Sequence, residues 1–310
     1  MAPSIRPLTP ELQEKAEKEL GENAARLEED LQALKEWLKK QPHIKARTDD
    51  QSLVTFLRGC KFSLQRAKEK IDLYYTMRSA LPEFIRNRDP NDARTLEVMK
   101  LGVGLILPMT DGATGPRISL VRPAAYDPSK FSIVEVLRVS TMMQDYMIRN
   151  DDNMIVSGNI ALLDLANVTL SHLTQMSPSI VKKMTSLGQD ASPLRQKGLH
   201  YINLPSGIDQ LLNLFRSFMN EKNRSRLYTH SSLESLYKHI PQKLLPKEYG
   251  GDGGTLQEIT NMWVERMTKS ATYFKEEDNY GTDESKRIGK PKTSEDLFGI
   301  DGSFRKLNID

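Results

Sequence analysis

Between residues 9 and 41 apolar residues recur at spacings of three and four. Leu12, Ala16, Leu20, Ala24, Leu27, Leu31, Leu34 and Leu38 make one stripe beneath a charged face, which predicts helix. Gly21 breaks or kinks this stretch and Pro42 ends it. Asp49 and Asp50 put carboxylates at the start of a short helix over 53–58, where they complement exposed N–H groups. Ser63 supplies a cap for a third helix, with Ala67, Ile71, Tyr74 and Tyr75 inward and Pro82 at its close. Helices joined by short loops predict a small all-helical domain over residues 1–92.

The pattern then changes. Segments 103–107, 117–121, 155–163 and 199–202 are apolar runs of strand length, and helical stretches 130–149, 171–187 and 207–220 lie between them. This alternation predicts an α/β domain over 93–276, with a mostly parallel sheet and helical crossovers. A last amphipathic helix over 255–276 carries Ile259, Met262, Trp263, Met267 and Phe274. The polar segment 277–310 reads as a tail, mobile or draped over the body, with no core of its own.

Composition narrows the class. The chain has 310 residues, 38% of them hydrophobic, enough for two modest domains. No apolar run approaches the roughly 18 residues of a spanning helix, and the best, 160–163, stops at Asp164. The opening Met-Ala-Pro-Ser-Ile-Arg-Pro lacks the apolar segment of a signal peptide. One cysteine, Cys60, excludes an intrachain disulfide framework and a multi-cysteine metal site. A cytoplasmic protein is the simplest expectation. The net charge of +3 is too small for wholesale nucleic-acid binding, but it is unevenly spread. From 182 to 226, Lys182, Lys183, Arg195, Lys197, Arg216, Lys222, Arg224 and Arg226 face only Asp190, Asp209 and Glu221. Such a window is either a solvated face or a surface for an anionic partner.

Catalytic signals are weak. The five histidines are scattered without metal-ligand spacing, and there is no nucleophile elbow, P-loop or dinucleotide fingerprint. The glycines at 250–254 read as a tight connection. Asp164, at the end of an apolar strand, is the most enzyme-like residue, yet a backbone hydrogen-bonding role fits it better. Cys60 beside Lys61 is either a thiol of lowered pKa or, without a paired histidine, a packing residue.

Two helices stand out. In 207–220, Ile208, Leu211, Leu212, Phe215, Phe218 and Met219 share one face, with cations in both flanks. Such a helix either covers an ordinary core or meets a lipid interface. In 130–149, Ser140, Thr141 and Gln144 interleave with Leu137, Met142, Met143 and Met147. That pattern suits a plain core or a cavity for a lipid with one polar end.

Particular segments resemble a known family. They are 57–62 (Leu-Arg-Gly-Cys-Lys-Phe), 137–140 (Leu-Arg-Val-Ser), 162–165 (Leu-Leu-Asp-Leu) with Ser171-His172, 192–203 from Ser-Pro-Leu-Arg to Tyr-Ile-Asn, and 245–251 (Leu-Pro-Lys-Glu-Tyr-Gly-Gly). In order and spacing the chain resembles the CRAL-TRIO lipid-binding family over about residues 8–276. It looks like the animal branch that holds α-tocopherol transfer protein, cellular retinaldehyde-binding protein and the clavesins, with an opening similar to insect members. The resemblance implies a helical domain packed on an α/β domain that encloses a lipid cavity under a mobile helix. Pocket positions fall on Leu137, Ser140, Thr141, Gln144, Leu163, Met184, Leu187 and Leu194. The gate falls on 207–220, with Leu212 and Phe215 toward the ligand and Ile208, Leu211 and Leu214 toward a membrane. Phosphoinositide contacts fall on Lys61, Arg195, Lys197, Lys222 and Arg226.

Two departures matter. Gln144 stands where tocopherol carriers have a second pocket serine, and 165–167 reads Leu-Ala-Asn where the family has Leu-Glu-Gly. A bulkier amide argues against tocopherol itself. The expectation is a monomeric, non-enzymatic carrier without cofactor or metal. It would bind one retinoid, tocopherol, carotenoid or similar isoprenoid and exchange it at phosphoinositide-containing membranes by reversible peripheral association. The alternative is a phosphoinositide-binding trafficking module of clavesin type. An enzyme built on Asp164 is disfavoured, since no partner for it is visible.

Overall fold

The computed structural model describes residues 4–299. The first apolar stripe breaks at Gly21 into two helical pieces. Thr9 caps Pro10–Lys15, a wider turn follows over Ala16–Leu20, and Gly21 adopts a left-handed φ of 79°. The second helix, Leu27–Lys39, buries Leu31, Leu34 and Leu38. The two-residue strand β1 (Ile44–Lys45) precedes helix Asp50–Gly59, whose N-terminus is capped by Asp49 accepting from Ser52 N at 3.0 Å. Helix Leu64–Ala80 buries Ala67, Ile71, Tyr74 and Tyr75 as its spacing predicts. Ser63 precedes it, but its side chain makes no capping bond.

The body carries a five-stranded sheet in chain order: β2 (Gly104–Ile106), β3 (Arg117–Val121), β4 (Asn159–Asp164), β5 (Gln196–Ile202) and β6 (Leu227–Thr229). β2 pairs antiparallel with β3 and the other neighbours are parallel, which gives the mostly parallel sheet expected. β4 begins later than the apolar run at 155 implies. Asp151 accepts from Met154 N at 2.7 Å and starts a helical turn, Asp152–Ser157, and Gly158 at φ 88° then redirects the chain into the strand. β6 is a strand that the apolar pattern did not reveal, because only three residues form it.

Strand alternation sends Leu163, Leu199 and Tyr201 to one face of the sheet, where a cavity lies, and Leu162, His200 and Ile202 to the other. Helix Ile133–Asn150, closed at its N-terminus by a Ser132–Glu135 capping box, joins β3 to β4 and walls the cavity. Pro178–Thr185 lies in the next crossover and Asp209–Phe218 in the one after. The last long segment is two helices, Leu256–Lys269 and Ala271–Glu277, meeting at Ser270. Trp263 donates from Nε1 to the carbonyl of Ile106 at 2.8 Å and fixes the first of these on the sheet.

Buried charge joins the helical region to the body. Asp145, on the cavity helix, accepts from Arg78 and Arg88 at 2.7 Å each and from the Tyr74 hydroxyl at 2.9 Å. Arg78 also meets Glu277 at 2.8 Å, and Glu277 is held by Arg47 at 2.6 Å. Burial opposes a charge on Asp145, yet the two guanidiniums outweigh it and hold the carboxyl well below its usual range. A second buried pair, Arg58 with Glu22, is bidentate at 2.8 and 2.9 Å. Next to Arg58, a Cβ on Gly59 would collide with the carbonyl oxygen of Pro193, so two of the family-like segments pack directly on each other.

Of the two expectations for the tail, the described part takes the draped one and packs more deeply than expected. β7 (Gly281–Thr282) pairs antiparallel with β1, Arg287 grips Asp72 at 2.8 and 3.0 Å, and a short helix, Ser294–Phe298, sinks Phe298 to 1% exposure. Phe298 joins Met77, Leu81, Phe84, Ile85, Leu137 and Ala191 in one cluster. The tail therefore contributes to a core made by other segments, and one aromatic among polar residues gave no periodic sign of this. Residues 300–310 of the expected tail, and residues 1–3, lie outside the described residues.

Two stability outcomes follow. Asp145→Ala leaves Arg78 and Arg88 buried without their shared anion, and chemical denaturation is expected to show a loss of about 3–5 kcal/mol. Phe298→Ala empties a site between three elements and is expected to cost about 3 kcal/mol. A loss near zero for Phe298→Ala would mean the tail does not seat in solution as it does here.

Candidate functional site: a two-chamber cavity

The cavity lies between the sheet, helix Ile133–Asn150, helix Pro178–Thr185 and helix Asp209–Phe218. One chamber, of about 260 Å³, is almost wholly apolar and includes Leu137, Ser140, Leu165, Met176, Ile208 and Leu211. A second, of about 240 Å³, is lined by Gln144, Gln189, Leu194, Gln196 and Asn223 among others. Leu163, Met184, Tyr201 and Phe215 line both, so they form the waist between them. Helix periodicity sets this wall. Leu137, Ser140 and Gln144, at i, i+3 and i+7, face the cavity, whereas Thr141 and Asp145, one turn apart, face the N-terminal helices.

Models for two families match the chain: a Pinta-like UBA domain over residues 23–95 and a CRAL/TRIO domain over residues 103–251. The human protein named alpha-tocopherol transfer protein-like is 33% identical over 255 residues, which is 82% of this chain and 73% of its own. The chain belongs to the CRAL-TRIO family. Human Clavesin-2 is 31% identical over 246 residues, 79% of this chain and 75% of its own. The crystal structure of Sfh5 superposes at a TM-score of 0.48 and 12% identity, over 70% of this chain and 80% of that one.

In this CRAL-TRIO chain most of the expected pocket residues meet at the cavity: Leu137, Ser140, Gln144, Leu163, Met184, Leu194, Leu212 and Phe215. Two do not. Thr141 Oγ1 donates to the Phe84 and Arg138 carbonyls at 2.7 and 2.8 Å, on the face turned away from the cavity. Leu187, in the wide turn Ser186–Ala191, packs with the cluster around Phe84 and Phe298 instead. Ile208 and Leu211, expected on the membrane side, line the apolar chamber, and Ile208 is 3% exposed against Leu165, Tyr201 and Leu212. The reason is the helix start. Asp209 is its first residue, so Ile208 sits on the turn leading in and tucks beneath it. Leu214 is half-buried and lines neither chamber. Among the described residues, the large apolar residue most open to solvent is Leu170, at 75% exposure, in the short helix Leu170–Thr174 whose Leu173 lines the apolar chamber.

The five cations expected to meet phosphates converge from three parts of the chain. Burial, then the fields of Arg226, Lys61, Arg195 and Arg66, pull the Lys222 ammonium below its ordinary pKa. Burial and the fields of Arg195 and Arg226 do the same at Lys197, where Glu19 is an opposing acid at 3.9 Å. Arg195 and Arg226 are partly committed, since each donates to a main-chain carbonyl, of Val156 and Gln196 respectively. Like charges are held together here against their mutual repulsion, which is an arrangement that an anion relieves.

The enzyme-like residues take structural roles. Asp164 accepts from Ala166 N at 3.0 Å, Asn203 Nδ2 at 2.8 Å and the Tyr249 hydroxyl at 2.6 Å, tying the end of β4 to two neighbouring segments. Cys60 is buried, and burial pushes its thiol up rather than down.

Three of the scattered histidines come together on the sheet face opposite the cavity. His200 Nδ1 lies 2.9 Å from His230 Nε2, the two rings stack, and His239 and Tyr228 close around them. Among the described residues no group of three or more potential ligands could hold a metal ion. Burial, then His230 and His239, push the His200 imidazole from 6.5 down to about 4. The folded chain thus disfavours the protonated ring. Its contribution is complete above about 6.5 and is lost as pH falls from there toward 4. The thermal midpoint is expected to drop across that window, and to drop less in His200→Gln. Parallel curves for the two proteins would remove the histidine cluster as the cause.

Proposed function

We propose that this CRAL-TRIO protein is a non-enzymatic carrier that holds one small lipophilic molecule and exchanges it at membranes bearing phosphoinositides. The observation that carries this reading is the apolar chamber under helix Asp209–Phe218, which has almost no polar lining and no catalytic constellation beside it. The likeness to a protein named for tocopherol transfer supports cargo binding in general. Gln144 lines the cavity where the resemblance implies a serine in tocopherol carriers, which favours a cargo other than tocopherol. No helix among the described residues is long and apolar enough to cross a membrane, so the association we propose is peripheral.

In this mechanism the cations Lys61, Arg195, Lys197, Lys222 and Arg226 draw the chain to an anionic surface. Leu214 and Leu170 are the apolar residues that would enter it first. Withdrawal of helix Asp209–Phe218 toward lipid would then expose Ile208, Leu211, Leu212 and Phe215 together and open the apolar chamber. A second reading, a phosphoinositide-binding trafficking module, draws on the same convergent cations and on the clavesin relatives.

Organic extraction of the purified chain, followed by mass spectrometry, is expected to recover one lipid near one per protein. An empty protein that still binds phosphoinositide vesicles would favour the trafficking module. Lys222→Glu combined with Arg226→Glu is expected to weaken binding to vesicles containing phosphatidylinositol bisphosphate by about tenfold or more, at roughly 1 kcal/mol per cation. Unchanged binding would remove these residues from the docking surface.

A further inference from the structure

The cavity is not uniformly apolar, and its polar groups differ in how they are satisfied. In the apolar chamber Ser140 Oγ donates back to the Val136 carbonyl at 3.0 Å. His172 uses both ring nitrogens, one against the Tyr126 carbonyl at 3.0 Å and one accepting from Thr169 N at 3.1 Å. The Tyr126 hydroxyl donates to Gln175 at 3.4 Å. Tyr201, at the waist, is the exception. Its side chain is buried, with the residue 4% exposed, and its hydroxyl has no hydrogen-bond partner among the described residues. Tyr201 lines both chambers, so its hydroxyl is free to bond a ligand or water within them.

Beyond Tyr201 the second chamber is lined by five carboxamides: Gln144, Asn159, Gln189, Gln196 and Asn223. No carboxylate, ammonium, guanidinium or imidazole lines it. Gln144 commits one end to Ser192 Oγ at 3.2 Å and Gln189 accepts from Asn220 N and Asn223 Nδ2 at 2.8 and 3.1 Å. The amides are thus anchored on protein while remaining part of the wall. The nearby cations Arg195 and Lys197 flank Gln196 in sequence, and a register shift there, with Asn159 opposite Gln196 but Ile160 opposite Gly198, lets Gln196 line the chamber while Lys197 reaches toward Glu19.

We propose that the second chamber is a headgroup subsite, and that the cargo is an amphiphile with an uncharged, hydrogen-bonding head whose first hydroxyl or carbonyl meets Tyr201 Oη at the waist. A pure hydrocarbon leaves the Tyr201 hydroxyl unpaired and places apolar surface against amides. A carboxylate or phosphate head gives up its hydration where no lining side chain carries the opposite charge, Arg216, whose field reaches Tyr201, standing outside the lining of both chambers. An uncharged head with two or more hydroxyl, carbonyl or amide groups satisfies both the phenol and the carboxamides. This inference rests on the carrier reading and deepens it by naming the chemical class of cargo.

The test uses the full chain, stripped of lipid, titrated with three probes that share one acyl chain: 1-monooleoylglycerol, methyl oleate and oleate. The glycerol ester is expected to bind about tenfold or more tightly than the other two, the discrimination a buried polar site gives against an analogue lacking its partner. Tyr201→Phe keeps the ring and removes the bond to the ester carbonyl that the glycerol ester and methyl oleate share, so both are expected to weaken together, by about threefold to tenfold. Gln144→Leu, on a different element, is expected to reduce the preference of the glycerol ester over methyl oleate and keeps the test open if Tyr201→Phe folds poorly. Equal binding of all three probes, or tightest binding of oleate, overturns the headgroup subsite and leaves the carrier intact. Binding of none overturns the subsite too. In that case a stoichiometric lipid in the organic extract keeps the carrier reading, and an empty extract removes it as well.

Discussion

The carboxylate of Asp145 sets the geometry on which the cavity depends. A buried anion is tolerable only where opposite charge and hydrogen bonds converge on it. Here Arg78 and Tyr74 come from one helix, Arg88 from the loop beyond it, and Glu277 from the last helix through Arg78. This cluster fixes the rotation of helix Ile133–Asn150 about its axis. With Asp145 and Thr141 facing the N-terminal helices, Leu137, Ser140 and Gln144 must face the sheet. A register change on this helix would strand a charge before it altered the pocket, so the ionic cluster protects the cavity wall.

The opposite wall is held by a different kind of force. Helix Asp209–Phe218 rests on Leu165 and Tyr201 through Ile208 and Leu212. Beyond its end, Gln189 accepts from Asn220 and Asn223. Apolar contacts are non-directional and are regained readily against lipid, whereas an ion pair broken in a low-dielectric interior is not. The contrast suits one wall to be a frame and, on the proposed carrier reading, the other to be a lid. Leu212 and Phe215 line the apolar chamber, so a cargo held there would add to the surface that keeps this helix seated.

Much of this was legible where the chain is locally consistent. Three-and-four spacing located the helices, Gly21 and Pro82 marked two of their limits, and strand-length apolar runs between helices implied the parallel sheet. What escaped depends on contacts remote in sequence. Thr141 follows Ser140 directly yet turns away, because the helix phase is set by Arg78 and Arg88, more than fifty residues upstream. His200, His230 and His239 have no shared spacing until β5 and β6 bring them into register. Phe298 has only Leu297 beside it in an otherwise polar stretch, and only the cluster around Phe84 explains its burial. Tyr201 was readable in principle. Period-two alternation places it with Leu199, on the face opposite His200, but nothing local says that its hydroxyl meets no partner there.

The head chamber and the cation cluster share their backbone. Gln196 lies between Arg195 and Lys197, and Asn223 follows Lys222, so β5 and the turn after the lid each carry amides inward and charge outward. A phosphate surface that pulls on Lys222 would therefore pull on the segment that supplies Asn223, and through it on the bonds that Asn220 and Asn223 donate to Gln189 at the edge of the second chamber. Release of a polar head and release of the apolar lid need not be separate events in such an arrangement. The lid can keep its apolar seal while the charged turn samples a membrane, and only an approach strong enough to displace Asn220 and Asn223 loosens both chambers together. On the proposed carrier reading, that ordering would make unloading depend on anionic lipid and not on contact with any hydrophobic surface.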